Sequence, residues 1–359
     1  MNDECEINDI REPKEFSGTT FSEFKKSEVK KELLKSLRES LIEPACYWCA
    51  ELVCSGHYID IWDIIITFYS KFVQLGHPEM CVYIEHRINT FREIARSGYA
   101  GNDLAMRNNE RVRRLFSEIM CVLCDSPTRH PFEEVKIDQT YFVMTNITNK
   151  LKAPDVSYAT ETFKTDDPKE LYIAVNELSY SVSSTGKNLM SACFWTEWIM
   201  SYKRICQSKK ETCVCVRRDI VEVDEKHKRH VDWMVWNIFI HAANTHRNPR
   251  VKKLIHSLMN IYALKYSNGV FRKRRFLMYV AISLLVDKVT LGGELISTNT
   301  KEKIKSVASS IHTIYKQIKV RERTPSIDDT VANVKQSSLE KSIEKLDKLQ
   351  EMMNNKFTV

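Results

Sequence analysis

The sequence predicts an all-α protein of two related five-helix modules, with a small β-hairpin insert in the second and a helical appendage at the C-terminal end. Three observations lead there. Only 9 Gly and 9 Pro occur in 359 residues, too few breakers for a turn-rich β fold. Apolar residues recur at 3–4 spacing along most of the chain. Three marks also occur twice, in one order. Lys31-Glu32-Leu33 with Leu37 and Glu39 returns as Lys169-Glu170-Leu171 with Val175 and Glu177. Ala45-Cys46-Tyr47-Trp48 with Glu51 returns as Ala192-Cys193-Phe194-Trp195 with Glu197, and Arg113-Arg114 with Asp125 as Arg274-Arg275 with Asp287. A duplicated module accounts for that order.

Residues 1–26 read as a flexible lead, with Phe21 and Phe24 able to dock on the body. Residues 27–131 form the first module. Leu33, Leu34, Leu37 and Leu41 share one helix face. Pro44 suits the first turn of the next helix, which runs to Cys54 and is apolar nearly all round. Further helices are expected near 59–75, 80–96 and from Arg107, with Pro127 and Pro131 closing the module. Residues 132–166 form a connector in which Val135 to Val143 alternates like a short strand. Residues 167–293 form the second module, with helices near 168–182, 188–206, 230–246, 250–266 and 271–289. Its hairpin insert, 211–225, alternates around Arg217-Arg218-Asp219. An extra helix lies within 294–323. Residues 324–359 form a linker and a tail helix, with Leu339, Ile343, Leu346, Leu349 and Met353 at heptad-like spacing.

With 43% hydrophobic residues the chain can build proper cores. No apolar run reaches the ~18 residues that span a bilayer, so no membrane partner is expected. The acidic, polar start from Met1 to Glu15 is not expected to be a secretory signal. Eleven Cys without such a signal imply reduced thiols. Charge is uneven. Residues 201–323 hold 26 Lys and Arg against 10 Asp and Glu, a balance of +16 in a chain of net +7. Such a block suits a phosphate backbone or an acidic partner, or it is a solvated face.

Cys206, Cys213, Cys215, His227 and His230 surround the expected hairpin and could pin it with structural zinc. The alternative is a plain hairpin with a basic loop, and no other cofactor is implied. Cys46, Cys49, Cys54 and His57, like Cys121, Cys124 and His130, have ligand types, but their apolar neighbours favour core packing. Glu51 and Glu197 fall inside apolar runs and need partners if buried. No phosphate-binding Gly loop, Gly-x-Ser-x-Gly or His-Glu-x-x-His occurs, so no catalytic residue is assigned and a non-enzyme is expected.

Arg111, Arg113 and Arg114 begin one apolar helix. Arg272, Lys273, Arg274 and Arg275 begin its counterpart. Cations there oppose the helix dipole, which suggests a task. With Arg247, Arg250, Lys252 and Lys253 they could form a stripe for nucleic-acid backbones. Alternatively each pairs with an acid across the module interface.

The strings Ile42-Glu43-Pro44-Ala45-Cys46-Tyr47-Trp48-Cys49-Ala50-Glu51-Leu52, Arg107-Asn108-Asn109, Asp167-Pro168-Lys169-Glu170-Leu171 and Ile314-Tyr315-Lys316-Gln317-Ile318-Lys319 resemble an uncharacterised family of large nucleocytoplasmic DNA viruses of algae and amoebae. The likeness covers about residues 28–323. It implies a viral protein of the host cytoplasm, at the virus factory, or of the virion. The expected function is a non-enzymatic factor binding nucleic acid in viral replication or transcription. The alternative is a scaffold that binds other viral proteins, with an acidic viral protein on its basic block.

Overall fold

The structure is a computed structural model that describes residues 3–99, 102–210, 213–294 and 296–324. Among these residues lie 13 α-helices, and the only β pairing is an isolated bridge between Thr19 and Lys25. The first half holds α1 (Lys26–Arg38), α2 (Ile42–Cys54), α3 (Tyr58–Phe68), α4 (Met80–Arg96), the short α5 (Asp103–Arg107) and α6 (Glu110–Cys124). A single turn, α7 (Met144–Ile147), lies between the halves. The second half holds α8 (Tyr172–Val182), α9 (Leu189–Ser208), α10 (Val231–Asn244), α11 (Pro249–Tyr262) and α12 (Val270–Val286), and α13 (Thr298–Lys319) follows.

Short polar side chains set many of the starts. Asn102, Asn109, Asn188 and Asn248 each accept a bond from a first-turn N–H of the helix they precede, and Ser297 does so for α13. Such caps contribute about 1 kcal/mol each. The helix expected from Arg107 starts at Glu110 as α6, capped by Asn109, and the short α5 precedes it. The helix expected over 59–75 changes its bonding at Tyr69, where α3 gives way to a π turn, Tyr69–Val73. Pro168 leads only into a 3-10 turn, and α8 starts at Tyr172.

In the first half α2 packs on α1, α3 and α6; in the second α9 packs on α8, α10 and α12. The halves meet where α4 lies on α11 and α12 lies on α3. One hydrophobic core runs through both, with Trp62, Trp195, Trp233 and Trp236 fully buried. α13 folds back onto α6 and α2 rather than extending the second half. No helix among the described residues is long and apolar enough to cross a membrane.

Three expectations change. The lead is packed: Ile7, Phe16 and Phe21 are buried, and Arg11 lies between the Phe16 and Phe21 rings while paired to Asp9 at 2.6 Å. The connector forms no strand. Its apolar side chains dock on the second half, with Phe132 stacked on Phe276 and Phe142 tilted against Trp198. The hairpin of 211–225 is also absent from the described residues. The Cys215 and Arg218 N–H groups donate instead to Arg229 and Lys228 carbonyls, and Arg218 pairs with the buried Asp167 at 2.6 Å. Alternation gave the segment two half-buried faces, but these backbone N–H groups bond to residues that follow it and its buried arginine pairs with Asp167 far earlier in the chain. The expected tail helix lies outside the described residues.

Asp63 of α3 fastens the seam. Its carboxylate meets Arg274 and Lys273 of α12, both at 2.9 Å. Asp63→Ala leaves the Arg274 charge buried without its carboxylate. It is expected to lower stability by about 3 kcal/mol, read from urea unfolding.

Candidate nucleic-acid interface

The helix dipole poses the first question for the duplicated arginines, and the helix ends beside them answer it. Arg274 donates to the carbonyls of Tyr262 and Leu264, the first of which ends α11. Arg113 donates from Nε to the carbonyl of Arg107, the last residue of α5, at 3.0 Å. Its other donors go to the Cys5 carbonyl and the Asn108 side chain at 2.9 and 2.8 Å, and its guanidinium lies 4.1 Å from the Tyr315 ring centre. Each cation thus sits at the positive start of its own helix but also at the negative end of the preceding one, and there it satisfies orphan carbonyls.

Arg275 reaches a different partner. It meets Glu197 of α9 at 3.2 Å and also pairs with Glu134. Arg113, Arg274 and Arg275 are 7%, 3% and 5% exposed. Enclosed by the protein and bonded to its carbonyls and carboxylates, they do not face a phosphate backbone. Sequence alone put them on the stripe because a buried and an exposed arginine read alike.

Arg114 is exposed and bridges Glu110 one turn away at 2.5 Å. Arg111, Arg247, Arg250, Lys252, Lys253, Arg272 and Lys273 are also exposed. They do not form one stripe. The start of α12 lies against the end of α11, so Arg272 and Lys273 are separated from Arg247–Lys253 by the length of α11. Fourteen residues make that about 20 Å. At least eleven of the 26 cations of residues 201–323 enter ion pairs. The seven residues from Arg247 to Lys253 stand apart. Their four cations have no acid partner among the described residues, and Asn248 and Pro249 order the helix start there. The Arg250 guanidinium lies against Gly292, whose N–H is held by Glu79.

The zinc candidates do not converge. Among the described residues no three His, Cys, Asp or Glu side chains are placed to hold an ion. The Cys206 and Cys213 thiols touch, with burial pushing Cys213 up to about 12. Cys215 is buried near Asp167 and Arg218, while the His227 and His230 rings meet edge-on and pack against Tyr266. The Cys46, Cys49, Cys54, Cys121 and Cys124 thiols are buried in the core.

The two core glutamates differ. Glu197 accepts from Arg275 and from the Tyr279 hydroxyl, at 3.2 and 2.9 Å. Glu51 accepts from the Ser22 N–H at 3.2 Å, has no arginine against it, and leaves Oε1 without a partner. Burial raises the pKa of both. Neither is open to solvent. No protein-family model, curated protein or solved structure matches the chain.

Burial pushes Glu197 up to about 7 against the opposing pull of Arg275 and Tyr279. The fold therefore holds this proton more tightly than the unfolded chain, whose carboxyl titrates near 4.5. The resulting stability is complete below that value and is lost as pH rises through about 7. Urea titrations across pH are expected to show a fall of about 3 kcal/mol over this window, and Glu197→Gln is expected to remove it. An unchanged slope in the variant would show that other groups cause it.

Proposed function

We propose that the protein is a non-enzymatic factor that binds nucleic acid, with its phosphate contacts at the start of α11. One observation carries this reading. Arg247, Arg250, Lys252 and Lys253 are exposed, free of acid partners among the described residues, and grouped at the positive end of a 14-residue helix. Contacts of this kind are sequence-independent and weaken with salt. Arg111, Arg114 and Arg272 are secondary contributors, since each lies away from this group.

The place of action we propose is viral replication or transcription, in the virus factory or the particle, and it rests on the resemblance alone. The four cations would also suit the carboxylates of an acidic viral protein, which keeps a scaffold as the alternative. The duplication belongs to the same proposal. Contacts α1–α2, α1–α3, α2–α3, α2–α6 and α4–α6 recur as α8–α9, α8–α10, α9–α10, α9–α12 and α11–α12. Arg113 and Arg274, the corresponding members of the third mark, each satisfy the end of the preceding helix.

The test is binding of labelled duplex DNA and single-stranded RNA between about 50 and 200 mM salt. Changing the four α11 cations to Glu is expected to weaken binding more than ten-fold and to flatten the salt slope by about 0.9 per lost phosphate contact. Binding that is absent at low salt, or untouched by the change, overturns the reading. Binding of an acidic viral protein that those substitutions abolish, without nucleic-acid binding, selects the scaffold.

A further inference from the structure

A cleft of about 920 Å³ opens where the halves meet, bounded by α4, the start of α3, the end of α11 and residues 220–227. That volume lies in the range of small-molecule sites. Its floor is aromatic and apolar: Phe91 and Tyr266 are half-buried there, with the buried Leu264 and Trp62 beside them, and the Trp62 and Phe91 rings meet edge-on at 5.9 Å. Ile220, Val221 and Val223 form one wall. This wall is loosely held. The chain bends at Ile220 and Val221, and among the described residues no backbone hydrogen bond reaches Asp219 to Val223.

The rim is charged. Arg92, Arg96 and Lys265 are exposed there, and none enters an ion pair among the described residues. The acids around them are mostly engaged. Glu85 accepts from Asn260 at 2.6 Å, and Asp224 lies 3.8 Å from Lys226, which leaves Glu222. Two lining groups lack partners: the Trp62 indole N–H, on a residue 1% exposed, and His227 Nδ1. A buried donor without a partner costs about 1–3 kcal/mol, so an occupant that supplies an acceptor gains by binding.

We propose that this cleft binds a nucleotide, with the base on the half-buried Phe91 and Tyr266 rings and the phosphate on Arg92, Arg96 and Lys265. An anion with an apolar acyl body would fill the floor but leave the indole and imidazole nitrogens unsatisfied. A base has both a flat apolar face and a polar edge. Asn89 and Asn260 place further amide groups at the rim. The same chemistry could come from a free nucleotide or from one residue of a single strand. The proposal is independent of the α11 start.

The test uses the full chain with two probes, adenosine monophosphate and a short single-stranded oligonucleotide, and ribose 5-phosphate as the baseless control. At least one of the two probes is expected to bind, and the control to bind about ten-fold more weakly. The triple variant Arg92→Ala, Arg96→Ala, Lys265→Ala is expected to lose about ten-fold or more in affinity with unchanged thermal unfolding. The oligonucleotide arm is run with the four α11 cations changed to Glu, so that only cleft binding is read. Bound nucleotide is also expected to slow amide exchange at residues 219–224. Absence of binding by both probes, equal binding of the control, or full affinity in the triple variant overturns the proposal. Any of these leaves the α11 reading untouched.

Discussion

Buried guanidinium groups that satisfy the ends of neighbouring helices hold the fold together. An α-helix leaves its last carbonyls without partners, and burying them so is costly. Arg113 satisfies the end of α5, and Arg274 the end of α11. Arg107 reaches the Cys54 carbonyl that ends α2, at 3.4 Å. A guanidinium suits this task because its fork spreads donors over several acceptors. Each such residue ties two helices at one corner, successive ones for Arg113 and Arg274 and α2 with α5 for Arg107, and the apolar faces then pack along their length.

The same chemistry closes the seam and the N-terminal lead. Arg274 also takes the Asp63 carboxylate from the other half. Arg11 joins Asp9 to the Phe21 and Arg321 carbonyls, which brings the lead against the end of α13. Much of the charge of residues 201–323 is therefore structural. What remains for a partner is smaller and more localised than the total suggests, and it gathers at the start of α11.

The two core glutamates are held in different ways. Glu197 sits under Arg275, whereas Glu51 accepts from Ser22 in the N-terminal lead. A buried carboxyl with few donors favours its protonated form, and both acids lie closed to solvent within the core.

The sequence by itself determined the helices. Apolar spacing placed nearly all the long ones, and it identified Cys46, Cys49, Cys54, Cys121 and Cys124 as core, because a helix face repeats at fixed intervals. Asn caps such as Asn109 were also present in the sequence, unused as signals. Only the tertiary structure decided what each cation does. Arg113 and Arg250 are alike as letters, yet one is enclosed by carbonyls and the other faces solvent. The same holds for the segment after Cys213, whose alternation suited a strand but whose Arg218 pairs with the buried Asp167 far earlier in the chain. Periodicity is local and survives in the sequence, whereas partners for charge come from residues far along the chain.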